Sequence, residues 1–310
     1  MLPSDDPKHI VAQFVEELTN QHNPAAWRQY CAESLVHHFD LPNVPPTRDG
    51  AEALSRGILA AFPDVQVTID LLLQEGEWVV ERARAVGTHT GAFMGIPASG
   101  QRLSWLETHL YRVVGGQIIE CIPEVRLEML LAQMAGQTSY FRGPHPSLLS
   151  RGIAVAMRAA ASLSRPQPDS ALPDDDTRQE RNRAVVARYI EEFKNQQQFF
   201  VFARLFGASF RHHFEFPARD DRMASFVSVG QNFLAAFPDV HVTVQQLLSD
   251  GAYVVERNRV SATHRGPFAG VQATERQVTW TETHIYRLED GKIVENWPLV
   301  NFERIIAQLS

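Results

Sequence analysis

Residues 105–112 read Trp105-Leu106-Glu107-Thr108-His109-Leu110-Tyr111-Arg112, and residues 280–287 read Trp280-Thr281-Glu282-Thr283-His284-Ile285-Tyr286-Arg287. The same spacing separates Phe62-Pro63-Asp64-Val65 from Phe237-Pro238-Asp239-Val240, Val79-Val80-Glu81-Arg82 from Val254-Val255-Glu256-Arg257, and Thr88-His89 from Thr263-His264. Pro63 to Pro238 and Arg112 to Arg287 are both steps of 175 residues, and the correspondence runs without a gap from about Val11 to Gln133. A period of that length is a whole domain, not one turn of a solenoid, so one domain is present twice. The first is assigned to residues 1–136 and the second to 181–310, with a linker over 137–180. Within the linker, Gly143-Pro144-His145-Pro146 breaks regular structure, Ser147 to Leu163 predicts an extra helix, and Pro173-Asp174-Asp175-Asp176 reads as exposed.

Working outward through one unit, His9 to Asn20 has helical spacing, with Ile10, Phe14 and Leu18 on one face. Val185 to Phe193 repeats it. Short helices are predicted over Ala25 to Ala32 and over Phe199 to Phe206, and a longer one over Ala51 to Phe62, ended by Pro63. An extended segment, Leu35 to Phe39, lies between them. Val65–Leu73, Trp78–His89, Leu103–Val113 and Gln117–Val125 read as strands, with turns at Glu75-Gly76 and Gly115-Gly116, and Leu127 to Met134 closes the unit as a helix. Helices followed by an antiparallel meander are the pattern of an α+β fold, here a curved sheet wrapped on helices into a cone with a pocket inside.

The 310 residues carry a net charge of -7, which argues against a nucleic-acid partner because phosphate binding wants a basic surface. No apolar run reaches the roughly 20 residues that span a bilayer, and Met1 to Asp6 has no secretory apolar region, so no membrane partner is expected. Two cysteines, Cys31 and Cys121, are no disulfide framework; a cytoplasmic location and ordinary buried thiols are expected.

The run Gly87-Thr88-His89-Thr90-Gly91-Ala92-Phe93-Met94-Gly95, its copy Ala262-Thr263-His264-Arg265-Gly266-Pro267-Phe268-Ala269-Gly270, the Phe-Pro-Asp triplets and the Tyr-Arg-x-x-x-Gly-x-Ile-x-Glu stretch resemble the SnoaL-like polyketide cyclases, within the nuclear transport factor 2-like superfamily. The resemblance covers nearly all of both units. It implies cones that commonly dimerise through their sheets, here as a pseudo-dimer within one chain, with further self-association left open. It also implies no metal and no organic cofactor, and ring closure by an acidic side chain that removes a proton next to a carbonyl. The family's acid is an Asp four residues after a Trp on the last strand. At those positions this chain has Ile122 and Arg126 in the first copy and Trp297 and Asn301 in the second.

The residues themselves offer other groups. Strand alternation puts Trp105, Glu107, His109 and Tyr111 on one face, and Trp280, Glu282, His284 and Tyr286 on its counterpart. A Glu beside a His in an apolar cone is a candidate acid–base pair, with the carboxyl pKa expected to rise; a structural Glu–His hydrogen bond, or a face turned to the domain interface, is the alternative. On the last strand Glu120, Ile122, Glu124 and Arg126 alternate together, which nominates Glu124 as a substitute base and Arg126 as an anion holder, or the two as an ion pair. Of His37-His38 and His212-His213 only one of each pair can face a pocket; His38 and His213 are taken as substrate contacts, with Trp297 and Asn301. His38, His89 and His109 lack any zinc spacing, and His89 is read as fixing a turn. Two functions stay in view: a cofactor-independent cyclase or isomerase acting on a small apolar, natural-product-like molecule, and a binding or scaffold protein that kept the cone without the chemistry.

Overall fold

In a computed structural model of the chain, residues 6–39, 41, 44–136, 175–213 and 223–310 are described. The linker helix expected over 147–163 lies outside them. The chain divides into two units, Met1–Ser139 and Tyr140–Ser310. In the first, helices α1 (Pro7–Val15) and α2 (Ala26–Tyr30) precede strand β1 (Cys31–His37) and helix α3 (Arg48–Ala61). Strands β2 (Gln66–Glu75), β3 (Trp78–Thr88), β4 (Arg102–Val114) and β5 (Gln117–Val125) follow, then helix α4 (Leu127–Met134). The second unit repeats this as α5 (Asp175–Tyr189), α6 (Val201–Leu205), β6 (Phe206–His212), α7 (Met223–Ala236), β7 (His241–Asp250), β8 (Tyr253–Thr263), β9 (Gln277–Glu289), β10 (Lys292–Val300) and α8 (Phe302–Leu309).

Each unit has one five-stranded sheet, in the orders β1-β5-β4-β3-β2 and β6-β10-β9-β8-β7. Four strands form the expected antiparallel meander. The segment expected only to be extended is a fifth strand, and it runs parallel to the last strand of the meander. Alternation in β3 shows how the sheet closes over its core: Val79, Glu81, Ala83, Ala85 and Gly87 are buried, whereas Arg84 is exposed.

The repeated family residues build a corner in each unit. The Asp64 carboxylate accepts hydrogen bonds from Thr88 N at 2.6 Å and Thr88 Oγ1 at 2.7 Å, and Asp239 accepts from Thr263 N at 2.8 Å. His89 is fully buried, lies 5.2 Å from the Phe62 ring and meets Ser99 Oγ through Nδ1 at 3.1 Å. His264 does the same with Thr274. A Cβ on Gly91 would stand 2.3 Å from Ala60 O, so only glycine lets this loop close on α3. The corner is therefore structural, and His89 fixes a turn as expected.

The first helix does not stay α-helical to Asn20. It passes into a π-helical turn, Glu16–Asn20, and the second unit has the same turn at Ile190–Asn195. Such turns add a residue per bond and redirect the side chains beyond. Asn20 clamps this turn to the sheet edge, accepting from Val67 N at 2.7 Å and donating to Val67 O at 3.1 Å. Asn195 makes the same two bonds to Val242. Replacing Asn20 by Ala strips both bonds from a half-buried strand edge. The expected cost is about 1–2 kcal/mol, read as a lower urea midpoint; an unchanged midpoint would show that the clamp contributes nothing.

Candidate active site

Pairing decides which side chains share a face. Opposite His109 on β4 stand Glu81 on β3 and Pro123 on β5; opposite Glu107 stand Ala83 and Val125; opposite Tyr111 stand Val79 and Cys121. The turn at Gly115-Gly116 starts a register of Val114 with Gln117 and Val113 with Ile118, which would have set Glu107 against Glu124. A bulge then places Arg112 opposite Glu120 and moves every later pair by one residue. A one-residue slip exchanges the faces of a strand. Cys121, Pro123 and Val125 thus line the interior, and Glu120, Ile122 and Glu124 do not. The expectation that Glu124 substitutes as a base in the pocket is corrected on this ground. The same bulge recurs between Ile293 and Glu295, which turns Trp297 away from the interior and brings Asn296 in.

The inner face of the first unit bounds an apolar cavity of about 150 Å³. Trp105, Glu107, His109 and Tyr111 line one wall, as alternation predicts, with Glu81 beside them. Phe14, Leu54, Ile58, Phe62 and Phe93 are among the residues that close the other side. His109 Nδ1 meets Glu81 Oε2 at 3.2 Å, Tyr111 OH donates to the same oxygen at 3.1 Å, and Trp105 Nε1 donates to Glu107 Oε2 at 3.2 Å. Glu81, Glu107 and His109 each offer an atom within 4.8 Å of the others. Burial pushes the Glu107 carboxyl above its usual range; His109 opposes the rise and Glu81 adds to it. Burial works against the charged form of His109, but the Glu81 hydrogen bond and the charges of Glu107 and Glu81 outweigh it, so its pKa is raised. Glu81 was not singled out from the sequence. Its signal was there: a carboxylate in the buried alternation of Val79, Ala83 and Ala85, repeated as Glu256.

In the second unit the same carboxylates are neutralised from within. Lys194 Nζ lies 2.5 Å from Glu256 Oε1 and 2.9 Å from Glu282 Oε1. Asn258 also donates to Glu256, and Tyr286 OH donates to it at 2.7 Å. His284 Nε2 sits 3.3 Å from Glu282, and Asn296 Nδ2 is 3.4 Å from His284 Nδ1. Burial would raise the Glu282 carboxyl, but Lys194 and then His284 hold it well below the usual range. The first unit has Thr19, Ala83 and Cys121 where Lys194, Asn258 and Asn296 stand, and keeps His109 and Tyr111 for His284 and Tyr286. Phenylalanines fill the space around: Phe193, Phe206, Phe210, Phe226 and Phe233 replace Leu18, Cys31, Leu35, Ala51 and Ile58. Their rings meet Phe202, Phe237 and one another at centroid distances such as 4.6 Å for Phe193–Phe202 and 4.9 Å for Phe206–Phe210.

The histidine pairs divide opposite to expectation. His37 ends β1 facing in and lines the cavity, whereas His38 pairs with Glu120 at 2.8 Å and is exposed. His212 is buried, and His213 bonds Glu295 at 2.8 Å while stacking on Trp297 at 4.7 Å. His38, His213 and Trp297 are therefore not part of an interior site. The thiols are buried as expected, and burial raises both Cys31 and Cys121. Among the described residues no helix is long and apolar enough to cross a membrane.

The sequence profile of the SnoaL-like polyketide cyclases matches residues 9–133 and again 184–309. The chain belongs to the SnoaL-like polyketide cyclase family. It is 31% identical over 94 residues to the aklanonic acid methyl ester cyclase DauD of Streptomyces sp. (strain C5), covering 28% of this chain and 58% of that one. It is 40% identical over 45 residues to the aklanonic acid methyl ester cyclase DnrD of Streptomyces peucetius, covering 14% and 31%. The matched stretches thus span less than two thirds of these relatives. Among solved structures, IdmH of Streptomyces antibioticus is similar at 28% identity and TM-score 0.38, covering 42% of this chain and 99% of its own. TsrD of Streptomyces laurentii is similar at 24% identity and TM-score 0.39, covering 44% and 100%.

In this SnoaL-like chain the family's acid positions open the last helix of each unit. Asn301 is the cap of α8, its side chain accepting from Arg304 N at 3.1 Å. Arg126 stands at the same place before α4, buried between Val125 and Leu127, which line the cavity while it does not. Arg126 thus stands outside the lining of the first unit's cavity, and Asn301 gives its side-chain oxygen to the helix end.

Two outcomes follow from the charges. Lys194→Met leaves two buried carboxylates facing each other, and the expected loss is about 3–5 kcal/mol. The melting temperature should fall, and adding Glu282→Gln should recover most of it; no fall would show the ion triad to be dispensable. His37 is the second case. Burial, and next the charges of His109 and His38, lower its pKa from 6.5 to about 4. A lowered pKa stabilises the fold above the unfolded value, and that stability is lost as pH falls toward the folded one. His37 alone should cost about 2 kcal/mol between about pH 7 and about pH 5. His37→Gln should flatten the urea-midpoint profile over that window, and an unaltered slope would exclude His37 as its source.

Proposed function

We propose that the first unit is an acid–base enzyme of the cyclase or isomerase type, acting on a small, largely apolar carbonyl compound. The observation that carries the proposal is the convergence of Glu107, His109 and Glu81 in one apolar cavity. Glu107 is the base: its raised pKa makes it a stronger proton acceptor than an ordinary carboxylate. His109 is the electrophile. Held as an imidazolium by Glu81, it hydrogen-bonds the substrate carbonyl oxygen and carries the charge that develops there.

The reaction then balances with proton transfers alone. Glu107 takes the proton from the carbon next to the carbonyl, and the enolate forms against His109. In a cyclase the enolate carbon attacks a second carbonyl of the same molecule, a carbon–carbon bond closes, and the new alkoxide recovers the proton from Glu107. The related cyclases act on aklanonic acid methyl ester, which makes a keto ester the first substrate to try. A cavity of about 150 Å³ holds a benzene-sized group, so a larger polyketide would enter with only its reacting end.

A second reading, a binding protein without chemistry, is favoured by the absence of an acid at Arg126 and Asn301. Deuterium incorporation next to the carbonyl of a small cyclic keto ester, above the buffer rate, separates the two. Exchange is expected with the full chain, and Glu107→Gln should reduce it by roughly 10²–10⁴-fold. Because Glu107 has a raised folded pKa, its ionisation costs stability as pH rises through that value. The Gln variant should therefore melt at the same or a higher temperature in mildly basic buffer. Ligand-raised melting temperature with no exchange in the wild type would establish the binding reading instead.

A further inference from the structure

The second unit supplies its own ligand for a site that the first unit leaves open. Lys194 Nζ bridges Glu256 Oε1 and Glu282 Oε1, delivered by the π-helical turn Ile190–Asn195. The equivalent turn of the first unit delivers Thr19, which lines the cavity and carries no charge. Glu81 and Glu107 keep the places of Glu256 and Glu282 on β3 and β4. Glu81 is fully buried, yet among the described residues its Oε1 has no hydrogen-bond partner. The corresponding oxygen of Glu256 is the one that receives Lys194 Nζ.

We propose that the cavity of the first unit binds the primary ammonium of a small apolar amine, seated between Glu81 and Glu107 where Lys194 Nζ sits in the second unit. The class of ligand follows from the contacts. In the second unit the group between the two carboxylates is an ammonium, bridging Glu256 Oε1 and, at 2.9 Å, Glu282 Oε1, and the same pair of acceptors is kept in the first. Glu81, Glu107 and His109 also have the composition of a metal set, so zinc is carried through the test as the competing ligand. Beyond the carboxylates the wall is apolar, through Leu54, Ile58, Phe62 and Phe93, so the rest of the ligand is a hydrocarbon of about one ring. A bound amine would hold Glu107 ionised and take the space of a carbonyl substrate, silencing the base as Lys194 silences Glu282. Binding itself does not depend on the acid–base reaction and is read without turnover.

Calorimetry of the full chain with benzylamine, with benzyl alcohol as the neutral isostere and with zinc chloride, tests the assignment. Benzylamine is expected to bind once per chain, and benzyl alcohol at least about tenfold more weakly. Thr19→Lys, which installs the tethered ammonium of the second unit, and Glu81→Gln, which keeps the side-chain size, should each weaken benzylamine at least about tenfold. Should Thr19→Lys not fold, Glu81→Gln decides alone. Equal affinity for benzyl alcohol, or unchanged benzylamine affinity in Glu81→Gln, overturns the proposal. Zinc bound one to one and lost in Glu81→Gln, with no benzylamine binding, overturns it in favour of a metal.

Discussion

Two neighbouring carboxylates on the inner face, Glu81 and Glu256 fully buried, Glu282 buried and Glu107 half-buried, are the constraint around which each unit is arranged. Taking an ionised carboxylate out of water costs several kcal/mol unless a cation or a proton answers it. Glu256 and Glu282 are answered by Lys194; Asn258 and Tyr286 also donate to Glu256, Trp280 Nε1 donates to Glu282, and His284 lies 3.3 Å from Glu282. Glu81 and Glu107 have no lysine. Their compensation is the imidazole of His109, the Tyr111 hydroxyl and the raised proton affinity of Glu107. The first unit meets its charge partly with a proton on Glu107 and the second with a tethered ammonium, and the proposed function of the first unit rests on that difference.

Packing agrees with the charges. Where the first unit has Leu18, Ala51 and Ile58 lining its cavity and Cys31 and Leu35 elsewhere in its core, the second has five phenylalanines in edge-to-face and tilted contact. Each buried ring contributes about 2–3 kcal/mol of apolar burial. The second unit has an aromatic-rich core around a polar centre that carries its own cation. Its Trp-x-Glu-x-His-x-Tyr face, although repeated letter for letter, is held by interactions that fix the side chains.

Much of the fold was legible because it rests on local rules. The step of 175 residues, the alternation of β3 and β4, and the Phe-Pro-Asp and Thr-His pairs all lead to two α+β units with a structural corner in each. What escaped depends on single extra residues. Nothing in Glu16-Glu17-Leu18-Thr19-Asn20 announces a π turn, which is set by the Asn20 clamp to Val67, a contact 47 residues away. Nor does Gln117 to Val125 announce its bulge, and that one residue decides whether Glu124 or Val125 faces the cavity. Alternation within a strand groups side chains correctly but cannot say which group faces in until pairing is known. Glu81 escaped for the opposite reason: its conspicuous burial was visible in the pattern, but its partner on β4 was not.

The missing family acid has to be weighed against that geometry. The resemblance places it at 126 and 301, where each unit turns from its last strand into its last helix. Here Asn301 spends its side chain on capping α8, and Arg126 flanks the cavity without lining it. Neither can supply a carboxylate, but the cavity does not depend on that corner for one. Glu107 faces it from β4, and Glu81 faces it from β3, braced by two donors. Glu107, the base of the proposed function, lies on β4 opposite Val125, the residue before the family's acid position, and lines the cavity that Arg126 does not. With no acid at position 126 the family's own base is absent from the first unit, and Glu107 is the carboxylate that the proposed function puts in its place.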